Sequence, residues 1–191
     1  SDGSNSSGPR PPEEHFDGGS AFDAFVEYEL ADGSLGFLGI ECKYHEDLRK
    51  SDVPKVRDVY ILFTERSGLW RPSAVERLDV AGRRQFWLNT LLAQSLLLRD
   101  PRYSEGRCVV TACAADRSAR ATFDAVQAEL VDADGLVWQP WESIVDTIEG
   151  DDAWRSLFVE RYLDFAPILH LLPANDPRTA GPSPHADTET A

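Results

Sequence analysis

Residues 22–44 run FDAFVEYELADGSLGFLGIECKY, and the fold turns on how this stretch is read. Phe22–Leu30 is rich in aromatic residues and alternates roughly with period two, the pattern of a β-strand. Asp32-Gly33 is a hairpin-type turn signal. Leu35–Tyr44 then reads as a second strand, so the two form an antiparallel hairpin. Period-two geometry sorts this second strand into faces. Leu38, Ile40, Cys42 and Tyr44 make one face, apolar enough to be the expected core side. Phe37, Gly39, Glu41 and Lys43 make the other, where Glu41 and Lys43 emerge side by side and are read as partly exposed.

Working outward, residues 52–66 carry Val53, Val56, Val59, Tyr60 and Phe63 at helical spacing, with Pro54 suited to a first turn. A long, mostly apolar helix is expected over 82–98, stopped by Asp100-Pro101. Arg107–Cys113 is a β-branched run that reads as an interior strand. A helix at about 118–130, a short strand Leu136–Pro140, a helical piece Trp141–Ile148 and a final helix over 152–165 complete the pattern. The order β-β-α-α-β-α-β-α predicts an α/β domain: a mixed β-sheet flanked by helices. Residues 1–19 are rich in Ser, Gly and Pro and read as a flexible segment. Residues 173–191 read as a disordered tail. The folded domain is expected over 20–172.

The chain has 191 residues and no methionine, so it is read as a processed chain or an excerpt of a longer one. Hydrophobic residues make up 42% and charged residues 27%, the balance of a globular domain. No apolar run is long enough to span a membrane, and no signal peptide is visible. Cys42, Cys108 and Cys113 form no CxxC pair, which argues against a zinc site or a disulfide framework and for a reducing, cytoplasmic setting. The net charge of −14 excludes a uniformly basic nucleic-acid binder. Charge is uneven, however: residues 51–110 carry ten basic and seven acidic side chains, and nine of the ten are arginines, which fork onto phosphate.

The hairpin brings Asp23 towards Glu41. Two carboxylates at ~4 Å repel by about 4 kcal/mol at an effective dielectric near 20. Either one takes a proton or a cation sits between them. Lys43 supplies part of that charge, and a divalent ion supplies more. Two carboxylates with waters and a substrate oxygen suit Mg²⁺.

An Asp on one strand and Glu-x-Lys on the next, followed by helix, strand, helix and strand, resembles the PD-(D/E)xK nuclease superfamily, the restriction-endonuclease-like fold. FDAFVEY and GIECKY carry the resemblance, and RRQFWLNTLLAQSLL and FVERYLDF are similar to a bacterial subgroup of restriction-endonuclease-like proteins. The resemblance implies that Asp23, Glu41 and the backbone carbonyl of Cys42 bind Mg²⁺, or Mn²⁺ in its place. Lys43 would orient the attacking water, and DNA phosphodiester bonds would be cut in restriction or defence, with RNA an open alternative. Related nucleases place a glutamine on the helix after the Glu-x-Lys strand, which singles out Gln85 over Gln94. Arg83, Arg84 and His45 are the candidate substrate contacts, and a homodimer is expected by analogy with double-strand cutters. The sequence departs from the family in having a Gly/Pro/Ser-rich segment where a helix usually precedes the Asp strand. That departure and the net charge support a second reading, a catalytically silent domain of the same fold that binds nucleic acid or a protein partner.

Overall fold

The computed structural model of the protein describes residues 21–44, 48, 56–150 and 152–166. The expected N-terminal segment and C-terminal tail, His45 and the first residues of the helix expected from 52 lie outside the described residues. Strands β1 (Ala24–Glu29) and β2 (Leu35–Cys42) form the hairpin. They run antiparallel, Ala24 opposite Ile40 and Glu29 opposite Leu35. The turn closes through Leu30 N–H to the Ser34 carbonyl at 2.8 Å, with Gly33 in the left-handed region at φ 82°. That conformation suits glycine and explains the Asp-Gly signal.

Helices α1 (Asp58–Arg66), α2 (Ala74–Leu78) and α3 (Arg84–Arg99) separate β2 from β3 (Tyr103–Thr111). The chain continues with α4 (Arg117–Gln127), β4 (Leu136–Trp138), α5 (Trp141–Thr147) and α6 (Asp152–Tyr162). The sheet order is β1-β2-β3-β4, with β2, β3 and β4 parallel and β1 antiparallel, a mixed sheet flanked by helices. The expected elements recur in order, the last helical stretch as two helices, α5 and α6, and with one addition, α2, a five-residue helix too short to leave a periodic signal. Asp116 caps α4 by accepting the Ala119 N–H at 2.9 Å. Among the described residues, no helix is long and apolar enough to cross a membrane.

The face assignment of β2 is corrected. Phe37, Glu41 and Lys43 are buried, whereas Leu38, Ile40 and Cys42 are half-buried and Tyr44 is exposed. α3 lies against the Phe37/Glu41 side and buries Phe86, Trp87 and Leu91 completely. Each such side chain contributes roughly 1.5–3 kcal/mol. Two glycines make this face work. A Cβ at Gly106 would meet the Phe37 ring at 2.1 Å, and one at Gly39 would meet the Phe22 ring at 2.3 Å. The rings occupy the space that side chains would take, and Phe22, Phe25, Phe37 and Tyr103 line up across the sheet. Two polar side chains in the layer pair with each other: Trp87 Nε1–H donates to Thr64 Oγ1 at 3.1 Å, and that hydroxyl donates to the Tyr60 carbonyl at 2.8 Å.

Candidate active site

Glu41 lies near the C-terminal end of β2, and Lys43 follows the strand, held by its N–H to the Thr111 carbonyl at 2.7 Å. Glu41 is 2% exposed and Lys43 5% exposed. Their alternation onto one face is the period of the strand. Burial of an ion pair demands that both charges be satisfied, and Glu41 is met on both oxygens. Lys43 Nζ stands 2.6 Å from Oε1. Gln85 Nε2 donates to the same oxygen at 2.5 Å, and Asn89 Nδ2 donates to Oε2 at 2.5 Å. Gln85 and Asn89 are four residues apart in α3, so they share one helical face.

Asp23 immediately precedes β1. Its N–H donates to the Ile40 carbonyl at 2.9 Å, and its Oδ2 accepts the Cys42 N–H at 2.7 Å. Asp23 thus accepts from the backbone N–H between Glu41 and Lys43 in the chain. Asp23 is exposed while Glu41 is buried, so the pair faces outward on one side only. Burial pushes the Glu41 carboxyl above its ordinary range, Lys43 opposes that rise, and the charge of Asp23 adds to it. Beneath the site, burial drives the Cys108 thiol up to about 12, and Glu41 adds to the shift. A thiol so raised is an inert packing group, not a nucleophile.

Among the described residues, no three His, Cys, Asp or Glu side chains form a metal cluster. The side-chain donors are the two carboxylates, which with Lys43 leave the site one negative charge in excess. Two carboxylates, a backbone carbonyl and waters are a donor set that fits Mg²⁺, which retains several waters.

The remaining expected residues are distributed as follows. Gln85 reaches Glu41, while Gln94 accepts from Trp70 Nε1–H at 2.8 Å and belongs to the packing. Arg84 is engaged by Asp79 at 2.6 Å, and Arg83 Nη1 donates to the Arg77 carbonyl at 2.7 Å. Asn89 went unread in the sequence. Its only signal is a polar residue interrupting the apolar run FWLNTLL one turn after Gln85.

Neither a curated protein nor a solved structure matches the chain significantly. The PD-(D/E)XK nuclease superfamily model matches residues 7–164. Because that span takes in the hairpin, α3 and every strand just described, the chain belongs to the PD-(D/E)XK nuclease superfamily.

Proposed function

We propose that the chain is a Mg²⁺-dependent nuclease that hydrolyses DNA phosphodiester bonds, with Mn²⁺ able to substitute, in restriction or another form of defence. The supporting observation is the junction at Cys42: Asp23 accepts its N–H at 2.7 Å while Glu41 and Lys43 pair at 2.6 Å on either side of it. Asp23, Glu41 and the Cys42 carbonyl would hold the ion. Bound there, it would supply the Lewis acidity that activates a water and offsets phosphate charge. Lys43 Nζ orients that water and stabilises charge developing on the phosphoryl oxygens. Gln85 and Asn89 fix the Glu41 carboxylate so that it need not reorganise during the reaction. In a homodimer, two such sites would cut two strands.

One feature favours a second reading. Both Glu41 oxygens already accept from Lys43, Gln85 or Asn89, so the carboxylate is satisfied without an ion. A catalytically silent domain that binds nucleic acid or a protein partner would look the same. Calorimetric titration with Mg²⁺ and Mn²⁺ of the wild type and Asp23→Asn decides between them, followed by cleavage assays on plasmid DNA and RNA. The nuclease reading expects binding that Asp23→Asn abolishes, and metal-dependent cleavage by the wild type. A wild type that binds neither ion sinks it and leaves the silent reading.

A further inference from the structure

Residues 66–84 hold five arginines against Glu76 and Asp79, a net +3 in a chain whose total is −14. How those arginines are held matters more than their number. Arg84 is neutralised by Asp79 at 2.6 Å. Arg77 forks onto Glu129, Nε and Nη2 each donating at 2.6 Å, and Nη2 also donates to the Pro72 carbonyl at 3.0 Å. Arg71 Nε donates to the Ala128 carbonyl at 2.8 Å, and Arg83 Nη1 to the Arg77 carbonyl at 2.7 Å. Carbonyls orient a guanidinium without neutralising it. Arg71, Arg77 and Arg83 also bear on the same carboxylate, Glu129. Glu76 also acts on Arg77, so three guanidiniums face two acids and leave a local charge of +1. Each guanidinium carries five N–H donors, and among the described residues Arg71 and Arg83 spend one apiece.

We propose that Arg71 and Arg83, braced by the Arg77–Glu129 fork, form a flank that grips the phosphate backbone of a nucleic acid beside the active site. The flank reaches the site along the chain: Arg83 precedes α3, two residues from Gln85, which puts their Cα atoms within about 7 Å. Arg71 and Arg83 are each already oriented by a carbonyl, so less side-chain entropy is lost on contact. The inference rests on the nuclease reading and identifies the surface that seats its substrate. It moves the contact from the sequence-expected pair Arg83 and Arg84 to Arg71 and Arg83.

The test uses the full chain in metal-free buffer, where no cleavage occurs. Fluorescence anisotropy follows labelled duplex DNA and duplex RNA of one sequence across a salt series, for the wild type and Arg71→Gln/Arg83→Gln. The double variant should lower the slope of log affinity against log salt by about 1.8, at roughly 0.9 per phosphate contact on B-DNA. The loss should be similar for any sequence. Each single variant should lower the slope by about 0.9, which keeps the test open if the double variant melts. An unchanged slope, or a wild type that binds neither duplex, overturns the flank. A slope change confined to the RNA supports the flank and makes RNA its ligand. Mn²⁺ calorimetry on the same double variant separates the two ideas: wild-type ion binding there leaves the nuclease reading standing whatever the slope does.

Discussion

Glu41 and Glu129 are both buried carboxylates, and each faces a cation at 2.6 Å. Their acidities move in opposite directions. Glu41 is raised, with burial the largest cause and Lys43 opposing it; Glu129 is lowered, with the Arg77 hydrogen bonds the largest cause. The difference lies in the ratio of charge partners to lost water. Glu129 is 9% exposed and sits under a two-pronged guanidinium, with the charges of Arg71 and Arg83 nearby. Glu41 is more deeply buried, has Lys43 and two neutral amides around it, and feels the repulsion of Asp23. Glu129 is an ion pair that fastens α2 to the end of α4. Glu41 is a carboxylate that the fold keeps at a cost, and such groups gather where chemistry is done.

The comparison breaks most visibly in activity. Glu41→Gln should lower metal-dependent cleavage by at least about 10³-fold. Lys43→Ala should lower it by about 10²–10³-fold, the scale for deleting one group that stabilises transition-state charge. Plasmid nicking under single-turnover conditions measures both. Wild-type rates from either variant would remove these residues from the chemistry. Glu41→Gln is not neutral for folding, because Lys43, Gln85 and Asn89 all point donors at it and glutamine returns one acceptor with a donor group of its own.

Stability offers the next contrast. Removing one partner of a buried pair leaves a charge without compensation, roughly 3–5 kcal/mol. Lys43→Ala should fall at the lower end, about 3 kcal/mol, because Gln85 and Asn89 still donate to Glu41. Arg77→Ala should cost markedly less, since the Arg77 side chain is 43% exposed and water screens much of the pair. Urea denaturation of both variants at one pH measures the gap. Equal losses would mean that burial does not set the two carboxylates apart.

The hairpin, the Asp/Glu-x-Lys placement, α3 and β3 were all legible in the sequence, because period two, an Asp-Gly turn and an Asp-Pro stop are local signals. The buried face of β2 was not. Counting apolar residues favoured Leu38, Ile40, Cys42 and Tyr44, since Glu41 and Lys43 score as polar and Gly39 as nothing. In the fold the two charges cancel and the glycines receive rings from neighbouring strands, Phe22 on Gly39 and Phe37 on Gly106. That complementarity joins residues 17 and 69 positions apart and leaves no mark on a single strand. Asn89 was hidden similarly: its partner lies 48 residues away, and a lone amide in an apolar helix resembles a packing detail.

Opposite acidities imply opposite pH dependences, and this is the smallest of the expected effects. Stability changes with pH according to which state holds more protons. Glu41 is raised on folding, so between its ordinary value near 4.5 and its folded value the native state holds the extra proton. Its contribution is fully present below about 4.5 and is lost as pH rises through the folded value. Glu129 is lowered on folding, so its contribution is fully present above that ordinary value and is lost as pH falls through the folded one. Thermal melts of the wild type, Glu41→Gln and Glu129→Gln in metal-free buffer, from about pH 3 to about pH 8, read both windows. The wild type should lose ground to Glu41→Gln as pH rises above the ordinary glutamate range. It should lose ground to Glu129→Gln as pH falls below that range. Two differences running in the same direction would mean that Lys43 outweighs burial at Glu41, which would make that residue a second structural ion pair and remove the electrostatic case for an active carboxylate at the end of β2.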